Sequence, residues 1–410
     1  MKILHITPHL GGGVGKAHAA LCEADKQADE RHYVLLEAPR DTRHVDAIRR
    51  SGAAVSIAQD MGLVRDLMSS ADLVQFEWWN HPLMCGLLAG SPLPAMRTVL
   101  WSHVSGINAP FIPTGLIETA DQFVFTSECS RLAGNLAGLK TEAVARTEVI
   151  NSGFGYASTD GNQQRKRNGR GISYLGTVEF TKMNPAMMDV IDRIVHSDAA
   201  VDVWGGVDAL SPVHNAIAEM THPERFRLRG HSDDPRDALL ETSIFLYLLQ
   251  PFHFGTAENA LVEAMSLGCA PLVLANPCEL AIVRDGKTGL VAQSVDHAVE
   301  LLNWMLEHPH DVSRMGEAAC KEVSEIKTPE RSLAAFRTLW RSTMARPKRT
   351  HNFATTLGQT PRDWHAALQG GSCARYTGLQ EAQSASKGSL AHFETYYPDL
   401  DQAPTIQCDP

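Results

Sequence analysis

Transfer chemistry on a phosphorylated substrate needs cations or unpaired backbone N–H groups, and recognition of its hydroxyls needs carboxylates. Residues 251–292 offer both kinds of group. Phe254-Gly255-Thr256 is a glycine-containing turn that runs into Glu258-Asn259-Ala260-Leu261-Val262-Glu263-Ala264-Met265. Ala260, Leu261, Ala264 and Met265 recur at the spacing of one helix face, and Gly268 ends the helix. The first N–H groups of a helix are unpaired and carry the positive end of its dipole. The Gly255-Thr256 turn can therefore hold phosphate at a gain of ~0.3 to 2 kcal/mol. Glu263 lies one turn beyond Asn259, where a carboxylate can accept hydrogen bonds from vicinal hydroxyls such as a ribose presents. The plainer alternative is that Glu263 only solvates an exposed helix face. Ala270-Pro271-Leu272-Val273-Leu274 follows as a strand buried on both faces.

Elements of this kind recur along the chain. A short apolar strand, Lys2–Thr7, leads into Pro8-His9-Leu10-Gly11-Gly12-Gly13-Val14-Gly15-Lys16 and then a helix. A glycine loop between a strand and a helix is where open parallel sheets bind ligands. It fails the phosphate-loop pattern at Leu10 and Ala17 and the dinucleotide fingerprint at Gly15, so a plain tight turn and a substrate loop both remain open. Further strands are expected at 32–36, 54–58, 73–76, 98–102 and 122–126, alternating with helices, hence parallel with right-handed crossovers. Glu77-Trp78-Trp79-Asn80-His81-Pro82 leaves the fourth strand and Ser102-His103-Val104-Ser105-Gly106 the fifth. His103 either caps its loop or faces a ligand; Glu77 and His81 are candidates for the acceptor side of a site.

Composition changes at 152–170, a polar, glycine-rich linker with the basic run Arg165-Lys166-Arg167. A second alternating set follows, with strands at 172–176, 201–204, 226–229, 244–248, 270–274 and 290–292. At its head stands Gly176-Thr177-Val178-Glu179-Phe180-Thr181-Lys182, whose Lys182 is either a solvated charge or a cation for a ligand. Residues 329–344 read as an amphipathic helix with Leu333, Phe336, Leu339 and Trp340 on one side. Residues 345–410 are polar, but Trp364, Tyr376, Phe393, Tyr396 and Tyr397 argue against a wholly disordered tail. Asp399-Leu400-Asp401 follows no strand and is read as a chance likeness to a metal-binding pair.

The segment Glu263-Ala264-Met265-Ser266-Leu267-Gly268 resembles the donor-binding segment of retaining GT-B glycosyltransferases of family four, glycosyl transferases group 1. The resemblance implies two Rossmann-like, doubly wound α/β domains facing each other across a cleft. The division is an acceptor-side domain at 1–151, a linker at 152–170, a nucleotide-sugar domain at 171–328, a helix at 329–344 crossing back to the first domain, and an extension at 345–410. It implies a sugar moved with retention from a nucleotide diphosphate to a hydroxyl of a glycan or lipid-linked acceptor. The roles it implies are His103 facing the donor sugar, Lys182 neutralising the diphosphate, and Gly12 and Gly13 near the sugar. Gly255, Thr256, Glu258, Asn259 and Glu263 would hold the donor.

Two positions depart from that pattern. Thr177 stands where the family carries Arg, and Gly255 where it carries the first of two glutamates. Glu258 is the nearest acid; placed on the same helix as Glu263, it would lie about 140° further round and be no simple replacement. A nucleotide-sugar epimerase and a non-catalytic, transferase-like binding partner are the alternatives.

Whole-chain properties narrow the field. A chain of 410 residues, 44% hydrophobic, can bury two sizeable cores. A net charge of -10 disfavours a nucleic-acid partner and gives no global attraction to an anionic membrane. No apolar run approaches the ~18 residues that span a bilayer. The eight cysteines include no pair at two-residue spacing, the usage of a reducing cytoplasm. The 18 histidines form no recognised metal motif, so no metal and no cofactor beyond the nucleotide-sugar co-substrate is expected. The expected location is cytoplasmic, with at most peripheral contact at the membrane's inner face.

Overall fold

The computed structural model describes residues 1–26, 29–153, 170–232, 234–370 and 388–398. The basic run of the linker, Tyr376 and Asp399-Leu400-Asp401 lie outside the described residues. The chain divides into two compact units, Met1–Asn151 together with Leu333–Pro410, and Ser152–Ser332.

The first unit holds a parallel sheet of β1 (Lys2–Thr7), β2 (Glu30–Leu35), β3 (Ala54–Ile57), β4 (Leu73–Trp78), β5 (Thr98–Ser102), β6 (Gln122–Phe125) and β7 (Thr147–Val149). Its order is β3-β2-β1-β4-β5-β6-β7. The second holds β8 (Ile172–Leu175), β9 (Val201–Trp204), β10 (Phe226–Gly230), β11 (Ile244–Tyr247), β12 (Ala270–Leu274) and β13 (Leu290–Ala292), in the order β10-β9-β8-β11-β12-β13. Each sheet reverses its winding once, between β1 and β4 and between β8 and β11, which are the places where doubly wound sheets bind ligands. Every residue of β4, β5, β6, β11 and β12 is buried, as central strands covered on both faces must be. Strand β7, whose short Thr-Glu-Val run lacks an apolar stretch, was not expected from the sequence.

The chain beyond Leu333 completes the first unit. In the helix Pro329–Met344, Leu333, Phe336, Leu339 and Trp340 are buried, the face expected from their spacing. Phe336 packs on Trp101 with ring centroids 4.7 Å apart, and Trp340 Nε1 donates to Gln75 Oε1 at 2.8 Å. Arg337 pairs with Asp29 at 3.0 Å and with Asp25. Downstream, Arg349 and His351 reach Asp121 at 2.8 and 3.3 Å. Phe353, Leu357, Trp364, Leu368 and Phe393 are buried in the same core as Phe76 and Leu100. Phe353, Trp364 and Phe393 of the extension are thus core residues, while Tyr396 and Tyr397 are half-buried.

Candidate active site

In the second unit the candidate residues gather at the carboxyl ends of β8 and β11. Three glycines close successive strands there. Gly176 N–H donates to the Trp204 carbonyl at 3.0 Å and Gly205 N–H to the Gly230 carbonyl at 2.8 Å. A Cβ on Gly205, at φ +154, would lie 2.1 Å from the Gly176 carbonyl oxygen, so only glycine allows this close approach of loops. Thr177 follows, exposed, and Lys182 sits one turn further on.

Lys182 Nζ lies 3.2 Å from Glu258 Oε2, and the Tyr247 hydroxyl donates to the same oxygen at 2.7 Å. Glu258 does not stand on the helix, contrary to what the residue spacing implied. The helix spans Asn259–Ser266, and Glu258 is its left-handed cap at φ 38, so an angle round the helix does not describe it. Its carboxylate turns back against the turn, and a Cβ on Gly255 would lie 1.9 Å from Glu258 Oε1. The missing side chain at 255 and the buried acid at 258 therefore share one space. A non-glycine residue at positive φ costs on the order of 1–3 kcal/mol and persists where its surroundings fix it. Burial opposes ionisation of Glu258, but Lys182, His253 and the Tyr247 hydroxyl outweigh it and hold the carboxyl below its usual range.

His253 lies beneath the turn, 3.2 Å from Glu279 Oε2 and 3.7 Å from Glu258 Oε1, and accepts the Gly255 N–H at 3.1 Å. Burial lowers its pKa, but the two carboxylates win and raise it. The hydroxyl of buried Thr256 and Oε1 of Glu258 have no hydrogen-bond partner among the described residues. Glu263 is 6% exposed, so it does not solvate an open helix face. What the arrangement offers is a lysine held by a carboxylate beside the N-terminus of a helix, all on one sheet edge.

In the first unit, the helix Gly12–Ala24 begins in the glycine loop, with Gly12 and Gly13 exposed. A Cβ on Gly15 would lie 1.8 Å from the Leu10 carbonyl oxygen, which fixes glycine at the closing position of the loop. Glu77 is fully buried at the end of β4, so it is placed beneath the sheet edge rather than on it. Three histidines surround it: His5 Nδ1 at 3.1 Å from Oε1, with His18 Nε2 at 3.1 Å and His103 Nε2 at 3.0 Å from Oε2. Gln75 Nε2 donates to Oε1 at 2.9 Å. Burial opposes the charge on Glu77, yet the histidines keep its carboxyl well below the usual range. Burial outweighs the carboxylate for His103, whose pKa is lowered, and for His5, lowered to about 4. His103, whose side chain is 8% exposed, donates Nε2–H to Glu77 and so keeps Nδ1 as an acceptor.

His81 is likewise buried and caps the helix Pro82–Ala89, its Nδ1 accepting the Leu83 N–H at 3.3 Å. Its Nε2 lies 3.5 Å from Glu37 Oε1, and Tyr396 from the chain's last described helix donates to Glu37 Oε2 at 2.7 Å.

Several of these residues escaped the sequence reading. His5 and His18 are 13 positions apart and Glu77 far beyond them, so no local spacing marks the cluster. Alternation places His5 on one face of β1, but only the β1–β4 pairing brings it beside Gln75. Tyr247, His253 and Glu279 were missed for a like reason: the first two belong to β11 and the loop after it, and Glu279 to a short helix after β12. The one available signal was a charged or polar residue at the end of an otherwise apolar strand.

The family model "Glycosyl transferases group 1" matches residues 160–322, the segment that holds Lys182, Glu258 and Glu263. Solved structures match over more of the chain. HepE of Anabaena, crystallised with UDP and glucose, superposes with a TM-score of 0.65 at 13% identity, over 83% of this chain and 100% of that one. The fold is that of GT-B glycosyltransferases. Sucrose-phosphate synthase of Thermosynechococcus elongatus matches with a TM-score of 0.64 at 13% identity, over 84% of this chain and 100% of that one. A glycosyltransferase of Rickettsia africae matches at 0.64 and 11% identity, over 83% and 98%. No curated protein sequence matches. Among the described residues, no helix of this GT-B chain is long and apolar enough to cross a membrane.

Proposed function

We propose that the protein is a glycosyltransferase that moves a hexosyl group, with retention, from a nucleotide-diphosphate sugar to a hydroxyl of a glycan or lipid-linked acceptor. The observation that carries this reading is the Lys182–Glu258 pair at 3.2 Å beside the Gly255-Thr256 turn and the helix N-terminus, at the switch point of the second sheet. An ammonium has three N–H donors, and Glu258 engages one, so the others can meet the diphosphate as the bond from the anomeric carbon to it breaks. Glu258 acts here as a positioning residue for Lys182. Thr256 and Asn259 offer N–H groups beside the helix start to phosphate, Gly255, whose own N–H is taken by His253, keeps the turn open to it, and Glu263 takes the ribose hydroxyls.

In the first unit, Gly12 and Gly13 border the sugar and His103, oriented by Glu77, accepts a hydrogen bond from it through Nδ1. His81 and Glu77 support the acceptor side from below the surface. The charge of the leaving diphosphate is carried by Lys182 and the helix end, with no divalent metal required there. HepE binding UDP and glucose supports a uridine nucleotide as the first donor to try. We place the reaction in glycan or cell-envelope polysaccharide synthesis, on the cytoplasmic side of a membrane. Thr177, which brings no charge to the place where the resembled family carries Arg, is the observation that favours the second reading, a nucleotide-sugar-binding protein without transfer activity.

The test is thermal stabilisation and donor hydrolysis across UDP-, GDP-, ADP- and dTDP-sugars, for the wild type, Lys182→Ala, Glu258→Gln and Glu263→Ala. A ligand at 100 times its dissociation constant adds ~2.7 kcal/mol. The expected outcome is one donor that stabilises and is hydrolysed, with all three substitutions abolishing both effects. Stabilisation without hydrolysis or transfer favours the binding partner, and no stabilisation by any donor defeats both readings.

A further inference from the structure

We propose that His5, His18 and Glu77 form a buried site for one divalent cation of the zinc class in the first unit, independent of the transferase reading. Each residue is at most 1% exposed, and one donor atom from each lies within 4.8 Å of the other two. The carboxylate oxygens of Glu77 sit 3.1 Å from His5 Nδ1 and 3.1 Å from His18 Nε2. Zinc with ligands at ~2.0–2.2 Å in a tetrahedron separates neighbouring donors by about 3.3 Å, so these contacts have the length of an edge of such a shell.

A second observation concerns His18 itself. His18 Nε2, 3.1 Å from Glu77 Oε2, is buried without a hydrogen-bond partner among the described residues. A buried imidazole nitrogen left unpaired loses about 1–3 kcal/mol, which a metal ligand recovers.

The surroundings have the form of an outer shell that fixes ligands. The Tyr33 hydroxyl lies 3.2 Å from His18 Nδ1, the nitrogen opposite the one near Glu77. Gln75 donates to Glu77 Oε1 and is itself held by Trp340 Nε1. His103 donates to Glu77 Oε2, so the carboxylate is oriented from both sides. Arg31, a nearby guanidinium, is engaged by Asp25 at 2.7 Å.

A second trio, His9, Glu37 and His81, has similar proximity but different chemistry. His9 Nδ1 accepts the Gly11 N–H and His81 Nδ1 accepts the Leu83 N–H, which places the proton of each neutral ring on Nε2 and leaves no lone pair there for a metal. Among the described residues, His5 and His18 meet side chains, Glu77 and Tyr33, and accept no backbone N–H. Imidazole and carboxylate together suit zinc rather than calcium or magnesium, which take oxygen shells.

The test is elemental analysis of the purified full chain, grown with added zinc and dialysed against a weak chelator, together with cobalt(II) reconstitution of the stripped protein. We expect about one zinc per chain and the intense visible bands of tetrahedral cobalt. His18→Ala and Glu77→Gln should each cut retained metal at least ~tenfold, and Tyr33→Phe, which keeps all three ligands and the core volume, should weaken retention ~10- to 100-fold. His103→Ala, which removes one of the groups that orient Glu77 but no ligand, should weaken retention no more than Tyr33→Phe does. A wild type that holds no metal and shows no melting shift with zinc, manganese, iron(II) or cobalt overturns the site. Equal metal in the wild type and in Tyr33→Phe and His18→Ala means an adventitious ion only, and overturns it as well.

Discussion

At the scale of single residues, the decisive pair is Gly255 and Glu258. A carboxylate that leans into the space of a neighbouring absent side chain makes that absence a requirement. Gly255→Ala would drive a methyl to within 1.9 Å of Glu258 Oε1, and Glu258 is held on its other oxygen by Tyr247 and Lys182. We expect a loss of about 1–3 kcal/mol in urea unfolding, the usual cost of overpacking, with any nucleotide-sugar stabilisation abolished because Lys182 loses its holder. An alanine variant as stable as the wild type and equally responsive to donor would show that the two positions are uncoupled. Gly255 and Glu258 were both visible in the sequence as a departure and a nearby acid. Their relation was not, because it depends on one left-handed residue, and backbone conformation at a single non-glycine position leaves no trace in residue spacing.

At the scale of elements, the chain after the helix Pro329–Met344 is tied to the first sheet by charge and by apolar burial. Asp121 accepts the Thr98 N–H at 2.9 Å and pairs with Arg349 and His351. Burial opposes its ionisation, but those three partners outweigh it and hold the carboxyl well below its usual range. A depressed carboxyl stabilises fully above the unfolded value of about 3.9 and loses that contribution as pH falls through the folded value. Asp121→Asn should therefore lower stability at pH 7 by about 2 kcal/mol and flatten the fall of the urea midpoint below pH 4; a variant with the wild-type acid slope would refute this. Trp364, fully buried, contributes through packing. Trp364→Ala should cost about 3–5 kcal/mol and speed amide hydrogen exchange in β4 to β6 but not in β8 to β12. Equal acceleration in both sheets would contradict the assignment of the extension to the first unit.

At the scale of the whole molecule, the doubly wound architecture was legible because alternation of apolar strands with helices forces parallel sheets, and twelve of the strands fall within a residue or two of their expected positions. What the sequence withheld is lateral. Strand order puts β4 beside β1, across the chain from it, and this is what assembles His5, Gln75 and Glu77. Lys182, the 255–263 segment, Glu77 and His103 each stand out within their own stretch of sequence; His5 and His18, which reach Glu77 only through strand order and packing, do not. A metal survey of the intact protein and a donor survey therefore test different units by different observables, and either can succeed alone.

The helix that begins at Pro329, and the residues after it, also bear on how the protein is made. Strands β1 to β7 emerge from the ribosome early, yet Phe336, Trp340, Phe353, Trp364 and Phe393, which close their core, emerge only after all of Ser152–Ser332. The first unit to be synthesised is the second that can be finished. During translation at ~5–20 residues per second its open apolar face waits tens of seconds for its own chain, an interval in which a chaperone has something to hold.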